Sequence, residues 1–81
     1  MPSIHPDSAI SSLDQLIEEI ASIDVSVDQQ RSLNDRTESR LFSGRFEGEQ
    51  RKSAILSIAL RDELIDELLA RRSLLIRLLA G

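Results

Sequence analysis

The side chains that carry most protein chemistry are sparse in this sequence. There is one histidine, His5, and no cysteine. Without cysteine the chain has no thiolate nucleophile, no disulfide and no cysteine-based metal site. His5 lies in the lead-in Met-Pro-Ser-Ile-His-Pro, where Pro2 and Pro6 disfavour helix before them. A frayed tail does not hold an imidazole in place as a general base. The acids Asp62, Glu63, Asp66 and Glu67 form two pairs spaced by four, Asp62–Asp66 and Glu63–Glu67. On a helix that spacing aligns carboxylates on one face. A di-iron bundle site needs carboxylates from several helices and two Glu-x-x-His motifs, and the histidines are missing. These acids are therefore read as solvated helix charges, with support from pairs such as Glu67–Arg71. Gly44 and Gly48 do not form a phosphate loop, because no Gly-Lys-Ser/Thr follows them. No catalytic, cofactor-binding or metal-binding residue is assigned, and the chain is not expected to be an enzyme.

Arg36, Arg40, Arg45, Arg51 and Lys52 form a second grouping. They suit an acidic partner surface or a phosphate, but Asp35, Glu38, Glu47 and Glu49 offset them. They are held as a secondary contact only. The net charge of −4 speaks against general nucleic-acid binding. The only aromatics are Phe42 and Phe46, too few for a base-stacking surface or an aromatic-lined pocket.

The elements that must position these residues are helices. Asp7 or Ser8 is a good N-cap. From there Ala9, Ile10, Leu13, Leu16, Ile17, Ile20, Ile23 and Val27 recur at spacings of three and four, a helical stripe and not a strand alternation. Beyond Val27 the same spacing lands on Arg31, Asn34, Glu38, Leu41 and Phe42, so the inner face turns polar. One continuous helix over 7–42 is expected. The alternative is a break near 24–26, where Ser26 and Gln29 read as a capping box and Val25 and Val27 are weaker helix formers. Ser43-Gly44-Arg45-Phe46-Glu47-Gly48 is the turn over 43–48. Gly44 supplies the left-handed cap, and Phe46 is expected to fold back onto the helix ends. A second helix over 49–80 follows, and so short a connection joins antiparallel neighbours.

The second helix carries more apolar surface than one neighbour can cover. On a wheel, Ala54, Ile55, Ile58, Ile65, Leu68, Leu69, Leu75, Ile76 and Leu79 form the main stripe. Leu56, Leu60, Leu74 and Leu78 fall outside it, roughly opposite by that wheel at ~100° per residue, interrupted by Glu63, Glu67 and Arg71. Burying a leucine fully contributes about 1.5–3 kcal/mol, while a whole domain is stable by only about 5–15 kcal/mol. Those four leucines are accordingly the expected partner-binding residues.

Pairing the helices across the turn places Arg72 near Glu18 and Glu19, and Arg61 near Asp28 or Gln30. Arginines beside an apolar stripe want a carboxylate, because an unpaired buried charge is costly.

Size points the same way. The 81 residues make one small helical domain, 1–81, with residues 1–6 as a frayed lead-in. A chain this short buries only about 60% of its unfolded surface. Small folds compensate with disulfides, metals or oligomerisation, and only the last is open here. The expected fold is all-α, an antiparallel helical hairpin paired into a four-helix bundle dimer. The expected partner is a second copy, or else another helical protein. No nucleic acid or membrane partner is expected. Eight charges across residues 53–80 exclude a membrane span there. No signal-peptide pattern is legible, and the setting is expected to be cytoplasmic. The role expected is a non-enzymatic protein–protein interaction module, acting as an adaptor, an assembly chaperone or a regulator. The alternatives are an obligate small subunit of a larger complex and a peripheral membrane binder using Arg71, Arg72 and Arg77.

Overall fold

A computed structural model describes residues 7–81, with side chains described from Ser12 onward. The expectations for residues 1–6, for His5 and for the side chains of Ala9 and Ile10 lie outside the described residues. The chain forms two helices, α1 (Asp7–Phe42) and α2 (Glu49–Ala80), packed against each other as a hairpin.

Helix α1 runs unbroken through residues 24–26, so the alternative of a break there is set aside. The weak helix formers at that point cost a few tenths of a kcal/mol each. Burial of Ile23 and Val27 on either side contributes more than that. The helix ends in a paired cap. The amide of Arg45 donates to the Arg40 carbonyl at 3.3 Å, and that of Gly44 to the Leu41 carbonyl at 3.2 Å. This is the Schellman arrangement, and it needs Gly44 in the left-handed region, where its φ is 73°. Phe46 is half-buried, as a side chain folded back on the helices would be, while Phe42 is 89% exposed.

The seam between the helices follows strict alternation of four and three. On α1 the covered positions are Leu16, Ile20, Ile23, Val27, Gln30, Asn34, Thr37 and Leu41. On α2 they are Ala54, Ile58, Arg61, Ile65, Leu68, Arg72, Leu75 and Leu79, with Ser57 and Leu69 half-buried beside them, as Glu19 and Ser26 are on α1. A seven-residue repeat of this kind is a coiled-coil seam. Its apolar core is Ile23, Val27, Ile65 and Leu75, with Leu16, Ile20, Leu68 and Leu69 packed on it. That core occupies the half of the hairpin away from the turn.

Nearer the turn the seam is polar, as expected, but on different residues. Arg31 and Glu38 are exposed, and Gln30 and Thr37 take the covered positions beside Asn34. Asn34 is only 5% exposed. Its Nδ2 donates to Asp62 Oδ1 at 3.0 Å, while Arg61 donates to Asn34 Oδ1 at 3.4 Å and to Thr37 Oγ1 at 3.1 Å.

The pairing of the helices also differs from expectation. Arg72 Nε meets Asp24 Oδ1 at 2.7 Å, not Glu18 or Glu19. Arg61 meets Asn34 and Thr37, not Asp28 or Gln30. Both sets of partners lie more than one helical turn further along α1 than expected, five or six residues for Arg72 and four to nine for Arg61. Two residues assigned to the main stripe also lie outside the seam: Ile55 and Ile76 are exposed, and Arg61 and Arg72 occupy seam positions instead.

Candidate functional site

The leucine face of α2 is oriented by everything that fixes the helix's rotation. The seven-residue seam turns one side of α2 toward α1. Two ion pairs then pin that rotation, Arg72 with Asp24 and Arg71 Nε donating to Glu19 Oε1 at 2.7 Å. With those positions committed, the remaining leucines must face outward. Leu56, Leu60, Leu74 and Leu78 are each 55–66% exposed. All four thus stand largely free of the hairpin's own packing.

The structure adds one residue to this face and changes its angle. Leu64, absent from both sequence stripes, is 40% exposed. It fills the gap between Leu60 and Glu67. With it, Leu60, Leu64, Glu67, Arg71, Leu74 and Leu78 recur at alternating four and three. The face therefore has the same seven-residue repeat as the seam. It sits about a third of a turn from the α1 contact by the ~100° per residue of an α-helix, on the side of the Arg71–Glu19 pair, and not opposite the first seam. A wheel misses Leu64 because it lies between the two stripes. The seven-residue spacing finds it.

The charges inside this face are arranged differently from the expectation. Arg71 does not support Glu67 along the helix. It reaches across to Glu19 instead, and Glu67 is exposed, with no ion pair among the described residues. Of the other acids, Asp62 accepts the hydrogen bond from Asn34, and Glu63 and Asp66 face solvent. Among the described residues, no group of three or more His, Cys, Asp or Glu side chains is placed to hold a metal ion.

The basic grouping lies toward the turn end of the rod. Arg36, Arg40, Arg45, Arg51 and Lys52 are all exposed. Arg40 and Arg45 line one shallow depression with Ser39 and Ser43, whereas Arg36 belongs to a different groove on the outer side of α1. Lys52 lies 3.5 Å from Glu49 on its own helix. The five bases are not gathered into one pocket.

A groove near the turn is lined by Thr37, Phe46, Ser57 and Arg61, among others. Its arginine is half-buried and bonded to neutral oxygens alone. Among the described residues, no helix is long and apolar enough to cross a membrane. Comparison with protein-family models, with curated proteins and with solved structures gives no match to this chain.

Proposed function

We propose that this chain is a non-enzymatic protein–protein interaction module, a helical hairpin that self-associates through α2 into a four-helix bundle. Its role is that of an adaptor, an assembly chaperone or a regulatory protein, in a cytoplasmic setting. The observation that carries the reading is the set of exposed leucines on α2, Leu56, Leu60, Leu64, Leu74 and Leu78. Apolar residues scattered singly over a surface need no explanation. A contiguous, periodic set is the mark of an interaction face, and bundles bury such faces by adding helices.

Two other readings use the same surface. An obligate small subunit would dock this face on a larger protein. A peripheral membrane binder would need Arg71, Arg72 and Arg77 free for anionic headgroups. Arg71 and Arg72 are engaged by Glu19 and Asp24, which leaves Arg77 and weakens that reading. Size-exclusion chromatography with light scattering on the isolated chain tests the proposal. A stable mass of twice 9.1 kDa at micromolar concentration is expected. A monomer that aggregates would favour the small-subunit reading instead.

A further inference from the structure

The exposed face of α2 has the same leucine pattern read from either end, with its two central charges exchanged in sign. From its N-terminal end it runs Leu60, Leu64, Glu67, Arg71, Leu74, Leu78: two leucines, an acid, a base, two leucines. The spacing is four, three, four, three, four, which is also symmetric. We propose that a second copy of this chain docks on this face with α2 antiparallel to its partner α2, about a two-fold axis level with Leu69. This rests on the self-association reading above and specifies its partner, orientation and register.

The two-fold operation sets Leu60 opposite Leu78 of the partner subunit and Leu64 opposite the partner's Leu74. It sets Glu67 opposite the partner's Arg71, and Arg71 opposite the partner's Glu67. An isologous contact requires each patch to complement itself, and in this register every layer does: leucine meets leucine, and each acid meets a base. Moving the register by one layer, or running the helices parallel, breaks this. In the parallel arrangement Glu67 faces its own copy and so does Arg71, which places like charges together twice.

The charges available fit the arrangement. Glu67 has no ion pair among the described residues of the hairpin, and Arg71 is held by Glu19 while its side chain stays 61% exposed. A guanidinium carries five N–H donors in a planar fork. Arg71 therefore holds Glu19 of its own chain and accommodates the partner's Glu67 on its remaining donors. The six layers span about 27 Å of helix, at ~1.5 Å per residue, a continuous coiled-coil seam. A polar layer in the middle of such a seam fixes register and orientation.

The test uses charge reversal in the full chain, read by sedimentation equilibrium. Glu67→Arg alone sets two arginines against each other at two symmetric points of the interface. Arg71→Glu alone sets two glutamates against each other, again twice. Each variant should dissociate about tenfold more readily than wild type, on the order of 1.4 kcal/mol. Mixing the two variants should restore the dimer, because one chain then presents a base at both positions and the other an acid at both, so both contacts join opposite charges. A second rescue is the doubly reversed chain, Glu67→Arg with Arg71→Glu, made together with Glu19→Arg so that position 71 keeps an opposite charge within the hairpin; both contacts again join opposite charges and wild-type association should return. Orientation is read from cysteine pairs, since the chain has none of its own. Oxidised L64C/L74C should give a covalent dimer, because each cysteine faces the other position's copy within bridging distance. L64C alone should not, because antiparallel packing keeps the two copies of position 64 apart. Efficient cross-linking of L64C alone, or no recovery in the doubly reversed chain, overturns the proposed register while leaving dimerisation standing. A monomeric wild-type chain overturns the self-association reading and this register with it.

Discussion

At the scale of single residues, the polar layer around Asn34 distinguishes this hairpin from a simple greasy one. Asn34 is buried and uses both ends of its amide, one on Asp62 and one on Arg61. Such a layer costs stability relative to leucine and fixes alignment in return. Asn34→Ala leaves Arg61 without one of its two acceptors, and it should lower unfolding stability by about 1–2 kcal/mol in urea titrations. Replacing both partners, Asn34→Leu with Arg61→Leu, should instead raise stability, because an apolar pair fits a seam position without desolvation cost. A loss in the double variant comparable to that of Asn34→Ala would show that the layer contributes to stability itself. A polar stretch after Val27 is legible in the sequence, and so is Asn34 within it. Gln30 and Thr37 are not, because continuing the spacing with a four after Val27, instead of a three, lands on the exposed Arg31 and Glu38 in their place, while Asn34 and Leu41 stay on the seam. Arg61 and Arg72 are recognisable as arginines beside an apolar stripe. Their partners are misplaced when Phe42 and Glu49 are set facing each other across the turn, because the observed pairs, Asp24 with Arg72 and Asn34 with Arg61, are centred about two residues further toward α2.

At the scale of elements, the helices and their limits are legible almost in full. The stop at Phe42 follows from Gly44, whose left-handed conformation closes two hydrogen bonds back into α1. Gly44→Ala keeps space for its methyl group but strains the backbone there. It should cost about 1 kcal/mol in thermal or urea unfolding; an unchanged midpoint would mean that the cap does not hold the turn. Continuity of α1 through Asp24 to Ser26 is less legible, since a capping-box pattern and two β-branched residues lie at the spot. Packing of Ile23 and Val27 decides it, and packing is not written in local propensity. The outward face of α2 is legible as four leucines. Its true repeat is not, because Leu64 sits between the two stripes of a straight-helix wheel, whereas a seam follows the slightly underwound repeat of a supercoil.

At the scale of the whole molecule, the hairpin is a thin rod, 62 × 26 × 15 Å, with a radius of gyration of 18.9 Å. A compact domain of this length would have a radius near ~12 Å. Its surface of 6430 Å² compares with roughly 4,900 Å² for a compact protein of this mass. Four residues form its central cluster, and no side chain is completely buried among the described residues. A two-layer hairpin has no third layer to close its core, so length alone cannot make it compact. The expectation of a further layer comes from a short sequence without cysteine. The most direct measurement is the solution mass of wild type and of Leu60→Glu with Leu74→Glu, with helix content followed by circular dichroism. We expect wild type at twice 9.1 kDa, and the double variant shifted to the single-chain mass with most of its helix retained. A double variant whose dimer mass is unchanged would contradict the assignment of the outward leucine face of α2 as the interface.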